Sequence, residues 1–422
     1  MNCTHKVVSV GSDVGFGQRC DPRPILTEVV GDCSELGSCG IGRCSHDGDG
    51  NWLRCRHTPS LASPSVIPVR DDLRSLEGYH SAQVDVEVRL NTNESPFPPP
   101  DGFRDALAAE MSRVDWNRYP DRDAMALRTD IAEMHGVDPG QVFVANGSNE
   151  VLQTILLAYA GPGRKVATFE PTYQMHAQIA RVTGATVVEG ERGEDFTLDP
   201  AEVSRILAEH QPHVVFLTSP NNPTGLVEPR ERVEQLLAEA PGLVVVDEAY
   251  SQFADWSALD MVDDGCPLVV TRTFSKTWSM AGARLGYLVG PTWLVSELEK
   301  VALPYHLDVV KQLAGRTALR FVDDMNERVA LLVLERNKIT SALRELPIDV
   351  FESGANFVLF RPTAADGRTV WQKLVDRSVL VRDCSSWPRL ENCLRVTVGT
   401  PDENDRFLTA LADIVGPEKD LS

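Results

Sequence analysis

No stretch of the 422-residue chain approaches the roughly 18 consecutive apolar residues that a bilayer-spanning helix needs, so no membrane partner is expected. The opening MNCTHKVVSVGSD also lacks the basic-then-apolar layout of a signal peptide, and the expected location is cytoplasmic. Basic side chains are scarce: 41 Lys and Arg stand against 61 Asp and Glu, a net charge of −20. A dedicated nucleic-acid binder needs clustered Lys and Arg against phosphates, so no nucleic-acid partner is expected either. The nine cysteines include no C-x2-C pair. Even where six of them gather with His46 and His57, the spacing is not that of a zinc site, and no metal is assigned. Disulfides among them need an oxidising compartment, and nothing in the sequence provides export.

What remains is an ordinary globular composition, 42% hydrophobic and 24% charged, in a length that suggests roughly two to three domain-sized units. Residues 1–65 are a separate compositional region. They hold six cysteines, nine of the 30 glycines and nearly balanced charge, six basic against seven acidic residues. They show no period of 2 or 3.6 and end in the linker-like TPSLASPS, so an irregular, disordered extension is expected. The remainder carries −20 − (−1) = −19. The acidity belongs to the main body.

From about residue 141 short apolar runs alternate with longer amphipathic ones, the pattern of an α/β domain with a mainly parallel sheet. The strand candidates are QVFVAN (141–146), KVATFE (165–170), TVVEGE (186–191), HVVFLTS (213–219), LVVVDEA (243–249), LVVTRTF (268–274) and ARLGYLVG (283–290). Helices fit between them, such as 149–159 and 230–240, the latter with Pro229 in its first turn. After Gly290 the pattern turns to long helices at 293–301, 307–321 and 326–346. A smaller unit comes next, with strands at 356–362, 378–383 and 393–399 and helices at 367–377 and 403–415. The expected division is an arm with helices joining the small domain (66–136), a large domain (137–300), linking helices (301–345) and a small C-terminal domain (346–422).

In such a sheet, ligands sit outside the carboxyl ends of the strands. After QVFVAN comes Gly147-Ser148-Asn149-Glu150, a small turn opening a helix whose free N–H groups and positive dipole end suit a phosphate. After HVVFLTS, two prolines stiffen the backbone around Asn222 in SPNNPTG. LVVVDEAY ends on Asp247 and Glu248 after four apolar residues, which brings at least one carboxylate to the rim. A carboxylate there needs a cationic partner. After LVVTRTF come Ser275 and Lys276, with Thr273 before them and Arg284 where the next strand starts. A lysine beside arginine in a desolvated crevice is depressed toward neutrality, and a neutral amine can form a Schiff base. A carboxylate, a nucleophilic lysine, an amide donor and a phosphate nest with an arginine are the set that pyridoxal 5′-phosphate needs.

The run from about Leu90 to Val415 resembles the fold-type I, class I/II aminotransferases, and within them the histidinol-phosphate aminotransferases. The motifs are LNTNESP (90–96), NRYPD (117–121), EPTY (170–173), SPNNPTG (219–225), VDEAY (246–250), RTFSK (272–276), AGARLGY (281–287) and LRVTVGT (394–400), in the family's order. The resemblance implies Lys276 as the Schiff-base lysine, Asp247 as partner of the pyridine nitrogen, and Asn222 and Tyr250 as donors to the ring hydroxyl oxygen. It implies Tyr173 stacked on the ring, and Ser148, Asn149, Thr273, Ser275 and Arg284 around the cofactor phosphate. Tyr119 matches a tyrosine that reaches into the neighbouring subunit's site, which implies a homodimer with shared sites. Arg395 matches the arginine for the donor's α-carboxylate, and Arg382 one associated with the substrate's phosphate. Ser95 stands where some members carry a substrate-binding tyrosine.

The implied reaction is reversible amino transfer between L-histidinol phosphate and 2-oxoglutarate, giving imidazole-acetol phosphate and glutamate. Alternatives sharing the cofactor are an aromatic or broad-specificity aminotransferase and a threonine-phosphate decarboxylase. A transcription regulator carrying such a domain would need a basic helix-turn-helix module in front, which residues 1–65 do not resemble. Trp278 and Trp387 could sit near the site but read more readily as packing, His176 as a hydrogen-bonded helix residue rather than a pocket residue, and Cys384 as having no catalytic role.

Overall fold

The computed structural model describes residues 67–74, 76–78 and 82–416. The expected disordered extension at 1–65 lies outside them. The chain divides into Met1–Pro68 and Val69–Ser422, and every element named here belongs to the second unit.

The first elements are strand β1 (Val88–Leu90) and helices α1 (Phe103–Met111) and α2 (Met125–His135). The alternating part begins with β2 (Val142–Ala145), α3 (Ser148–Tyr159), β3 (Lys165–Glu170), α4 (Met175–Val182), β4 (Thr186–Glu191) and α5 (Pro200–His210). It continues with β5 (Val214–Thr218), α6 (Arg230–Glu239), β6 (Leu243–Asp247), β7 (Leu268–Thr273) and β8 (Gly286–Val289). Helices α7 (Thr292–Val301), α8 (Val309–Leu319) and α9 (Val322–Arg344) lead to β9 (Ile348–Val350), β10 (Phe357–Pro362), α10 (Gly367–Val375), β11 (Val379–Asp383), β12 (Leu394–Thr397) and α11 (Pro401–Val415).

The large sheet has the order β2-β8-β7-β6-β5-β3-β4, parallel throughout except for β8, which runs antiparallel to both neighbours. Every residue of β5, β6 and β7 is buried. Helices on both faces are the cause: α3, α4 and α7 share one apolar cluster with the sheet, and residues of α5 and α6 share another. The small sheet has the order β1-β11-β12-β10-β9, with β1 parallel to β11 and the other pairs antiparallel. The fold is thus α/β with a mainly parallel central sheet and a smaller mixed one.

Differences from the sequence reading have local causes. The last large-sheet strand begins at Gly286, not at residue 283, because Arg284 adopts φ +52, outside strand geometry. Pro229 is the extended residue that caps α6 from outside, not a member of its first turn. Helix α8 starts at Val309 because the Asp308 carboxylate accepts the Lys311 N–H and caps it there. The segment 66–136 meets the small sheet through β1, whereas α1 and α2 pack on α8.

Candidate active site

The carboxyl ends of β2, β5, β6 and β7 open into one cavity of about 910 Å³, counting its mouth. Eleven of the thirteen candidate site residues line it: Ser148, Asn149, Tyr173, Asn222, Asp247, Tyr250, Thr273, Ser275, Lys276, Arg284 and Arg395. Parallel winding explains most of the gathering, since every β-to-α turn of such a sheet emerges on the same edge, while Arg284 precedes the antiparallel β8 and Arg395 comes from β12 of the small sheet.

Asp247 ends β6 and is 2% exposed. Its Oδ2 lies 2.9 Å from His176 Nε2, and its Oδ1 accepts a hydrogen bond from Thr271 Oγ1 at 3.2 Å. His176 itself is fully buried, with its ring stacked on Phe216 at 4.4 Å between centroids. It is therefore a hydrogen-bonded helix residue that acts on the site through Asp247. The next carboxylate, Glu248, turns to the other side of the sheet, as strand alternation requires. There it accepts from Arg272 Nη2 at 2.8 Å, Ser257 Oγ at 2.7 Å and Ala258 N at 2.6 Å, tying β6 to β7 behind the cavity.

Lys276 donates from Nζ to the Thr92 carbonyl at 3.1 Å. Burial, then the Arg395 guanidinium, pull its ammonium down from 10.5 to about 8; Glu94 opposes this and Arg284 adds to it. A fraction of the amine is therefore already neutral near pH 7, the form a nucleophile needs, where an unperturbed lysine would have almost none.

One wall of the cavity is a nest of donors. Ser148 and Asn149 open α3, Thr273 Oγ1 donates to Ser275 Oγ at 3.0 Å and accepts from Ser275 N at 3.1 Å, and Arg284 Nη1 donates to Ser275 Oγ at 3.2 Å. Two glycines keep the nest open. A Cβ on Gly147, whose φ is +85, would lie 2.7 Å from Arg284 Nη2, and one on Gly286 would lie 2.3 Å from Ser148 N. Tyr173 Oη donates to Asn149 Oδ1 at 3.1 Å, fixing that ring beside the nest.

On the small-sheet side, Arg395 is 4% exposed, with Nη1 on Asn222 Oδ1 and Nη2 donating to the Asn91 carbonyl at 3.0 Å. Its Nε is buried without a partner. Asn93 Nδ2 donates to Tyr250 Oη at 3.0 Å, and Asn93 Oδ1 accepts from Thr397 Oγ1 at 3.0 Å.

Two expected residues do not line this cavity. Tyr119 is 79% exposed and stacks on Tyr305 with centroids 4.5 Å apart. Arg382 sits with its Cζ 5.3 Å from the centre of the Trp387 ring, and it is Trp387 that lines the cavity. Of the two tryptophans weighed between packing and the site, Trp387 is thus a wall residue. Thr92, Asn93, Gln174, Met175 and Thr218 are also wall residues to which the sequence pattern assigns no role. Thr92 contributes a carbonyl, which no side-chain pattern could announce, while Asn93 stands inside the LNTNESP motif. Trp278 is buried beside Phe274, and Cys384 is fully buried with its thiol pushed up to about 12 by that burial.

The cavity fits pyridoxal 5′-phosphate by its donors: hydroxyls, a helix N-terminus and a guanidinium for a phosphate, a fixed carboxylate for a ring N–H, and a lysine between them. A site with this set, on this sheet order, defines a pyridoxal-phosphate-type transferase. The chain belongs to the family of class I and II aminotransferases, whose model matches residues 85–411. Its similarity to histidinol-phosphate aminotransferases is high. That of Frankia casuarinae is 48% identical over 82% of this chain and 89% of its own length, and that of Thermobifida fusca is 46% identical over 83% and 96%. Among solved structures, the histidinol-phosphate aminotransferase of Sinorhizobium meliloti in complex with pyridoxal 5′-phosphate superposes with a TM-score of 0.75. It covers 84% of this chain and 99% of its own at 23% identity, a likeness of fold.

Proposed function

We propose that the protein is a pyridoxal-phosphate-dependent histidinol-phosphate aminotransferase, interconverting L-histidinol phosphate plus 2-oxoglutarate with imidazole-acetol phosphate plus glutamate in histidine biosynthesis. The observation that carries the substrate is the name shared by relatives 41–48% identical over most of this chain. The chemistry is supported by Lys276 and Asp247 lining one cavity with Arg395.

When bound, pyridoxal phosphate supplies an aldehyde that exchanges amino groups and a ring that accepts the electrons of a breaking Cα–H bond. Ser148, Asn149, Thr273, Ser275 and Arg284 would hold its phosphate, Tyr173 its ring face, and Asn222 and Tyr250 its ring hydroxyl oxygen. Asp247, fixed in a buried place by its hydrogen bonds to His176 and Thr271, would hold the ring nitrogen. Lys276, with its lowered pKa, removes the proton at the substrate's Cα and returns one during the reverse half-reaction. Arg395 binds the carboxylate of glutamate, and Arg382 contributes to holding the phosphate of histidinol phosphate.

The same reading takes the active unit as a cytoplasmic homodimer in which Tyr119 reaches the neighbouring site. The large domain at 137–300 would carry the cofactor and the small domain at 346–422 the substrate arginines. Among the described residues no helix is long and apolar enough to cross a membrane. The test is direct. Purified wild type should transaminate histidinol phosphate with 2-oxoglutarate, and Lys276→Ala should lose at least about 10³-fold in turnover together with the visible absorbance of lysine-bound cofactor. Retained activity in Lys276→Ala removes the mechanism. Release of carbon dioxide from threonine phosphate, without transamination, would replace it with the decarboxylase.

A further inference from the structure

Asn93 stands in the LNTNESP motif between β1 and α1. It is 1% exposed and takes φ +54, a left-handed conformation that asparagine tolerates better than most residues. Its backbone is tied to the small sheet on both sides. The Asn93 N–H donates to Thr397 Oγ1 at 2.9 Å, and the Asn93 carbonyl accepts from Asn356 Nδ2 at 3.2 Å. Thr397 ends β12, and Asn356 immediately precedes β10, whose first residue Phe357 pairs in register with Thr397.

These bonds fix which way the amide faces. Thr397 Oγ1 accepts the Asn93 N–H, and its own hydrogen goes to Asn93 Oδ1 at 3.0 Å. The amide nitrogen is left on the other side, where Nδ2 donates to Tyr250 Oη at 3.0 Å. Tyr250 follows β6 of the large sheet, and its ring meets Phe357 edge to face with centroids 5.1 Å apart. What Asn93 adds is a contact at the phenol oxygen. An oxygen that accepts from Asn93 must aim its own hydrogen elsewhere, and Asn93, Tyr250 and Lys276 line one cavity.

We propose that Asn93 is a positioning residue for the Tyr250 hydroxyl: its amide, oriented by Thr397 of the small sheet, engages Oη as an acceptor and so directs the Tyr250 hydrogen away from itself, toward the ring oxygen of the cofactor. This rests on the reading of Tyr250 as a donor to that oxygen. Asparagine meets three demands at once: a left-handed backbone, an acceptor for Thr397 and a donor for Tyr250. Aspartate would meet only the first two. A donor at the ring oxygen draws off electron density that otherwise stabilises the proton on the nitrogen joining Lys276 to the cofactor. A weaker donor there therefore raises the pH at which that proton leaves.

The experiment titrates the visible absorbance of lysine-bound cofactor against pH in wild type, Asn93→Gly, Tyr250→Phe, their double variant and Thr397→Val, each first checked for folding by its melting temperature. Glycine keeps the left-handed backbone and removes the amide, while Thr397→Val keeps the amide and removes the hydroxyl that orients it. Arg395, Glu94 and Arg284, the charged groups that act on Lys276, are present in every variant. Asn93→Gly should raise the midpoint by about half a unit to one unit, the size of one hydrogen bond, and Tyr250→Phe by at least as much. Thr397→Val should raise it in the same direction. In the Tyr250→Phe background, Asn93→Gly should move the midpoint by less than about 0.2 unit, because the group through which Asn93 acts has gone. An unchanged midpoint in Asn93→Gly or in Thr397→Val overturns the proposal. So does a shift that Asn93→Gly still produces in the Tyr250→Phe background, which would run through the neighbouring Thr92 carbonyl and Lys276 instead. A midpoint that Tyr250→Phe itself leaves in place is a different result, which overturns the reading of Tyr250 as a donor and this proposal with it.

Discussion

Lys276 shows how one residue is made reactive by its surroundings. Its ammonium loses stability through burial and through the Arg395 charge, and titrates at about 8 rather than 10.5. The sign is that of a base whose charged form is disfavoured: the neutral amine grows as pH rises through about 8 and is complete above it. The rate at which cofactor-free enzyme captures pyridoxal phosphate should therefore climb across pH 7 to 9 and level off. Arg395→Gln should move that midpoint to higher pH, because a neighbouring positive charge has gone. Stopped-flow absorbance against pH measures both; a midpoint that stays put in Arg395→Gln would refute the electrostatic account.

Among the elements, the turn from β2 into α3 has the strictest backbone demand. Gly147 takes φ +85 and ψ 164, a region essentially reserved for glycine, and its missing side chain leaves room for Arg284. Gly147→Ala should strain this turn by roughly 1–3 kcal/mol and push Arg284 away from Ser275. The expected outcome is a cofactor affinity about tenfold or more weaker, read by equilibrium titration of cofactor-free enzyme. Arg284→Lys should weaken binding too, by losing the forked contact, without the cost in melting temperature that Gly147→Ala carries. On the reverse face of the sheet, the Glu248–Arg272 pair holds the ends of β6 and β7 together, so that Asp247 and Thr273 face the cavity at a set spacing.

At the scale of the whole molecule, the exposed Tyr119–Tyr305 stack is outside the cavity of its own subunit. If Tyr119 completes a neighbour's site, subunits carrying Tyr119→Ala and subunits carrying Lys276→Ala should complement each other. Each homodimer would be impaired, while a mixed dimer would contain one site with both native residues. Co-expression with two affinity tags should recover up to about half of the wild-type activity per mixed dimer. Activity no higher than that of the better parent excludes sharing through Tyr119. The excess of acidic residues bears on this scale as well. In a protein of net charge −20, anionic ligands are drawn to the few places where cations concentrate, and Lys276, Arg284 and Arg395 meet in one such cavity.

The order of apolar runs is enough to reveal the parallel-sheet architecture, because a strand buried on both faces must be apolar along its length, as β5, β6 and β7 are. It also locates the reactive residues, because parallel winding sends every strand's carboxyl end to one edge. Ser148, Asn222, Asp247 and Lys276 are legible for that reason: each lies at or just beyond the carboxyl end of an apolar run. Only the tertiary structure decided which neighbours complete them. His176 reaches Asp247 from 71 positions away in the chain, Thr92 offers a backbone carbonyl to Lys276, and Trp387 rather than Arg382 forms the wall of the cavity. The physical reason is common to all three. Strand and helix periodicity are local properties of side-chain order, whereas which distant segments meet at one cavity depends on where packing sets those segments down.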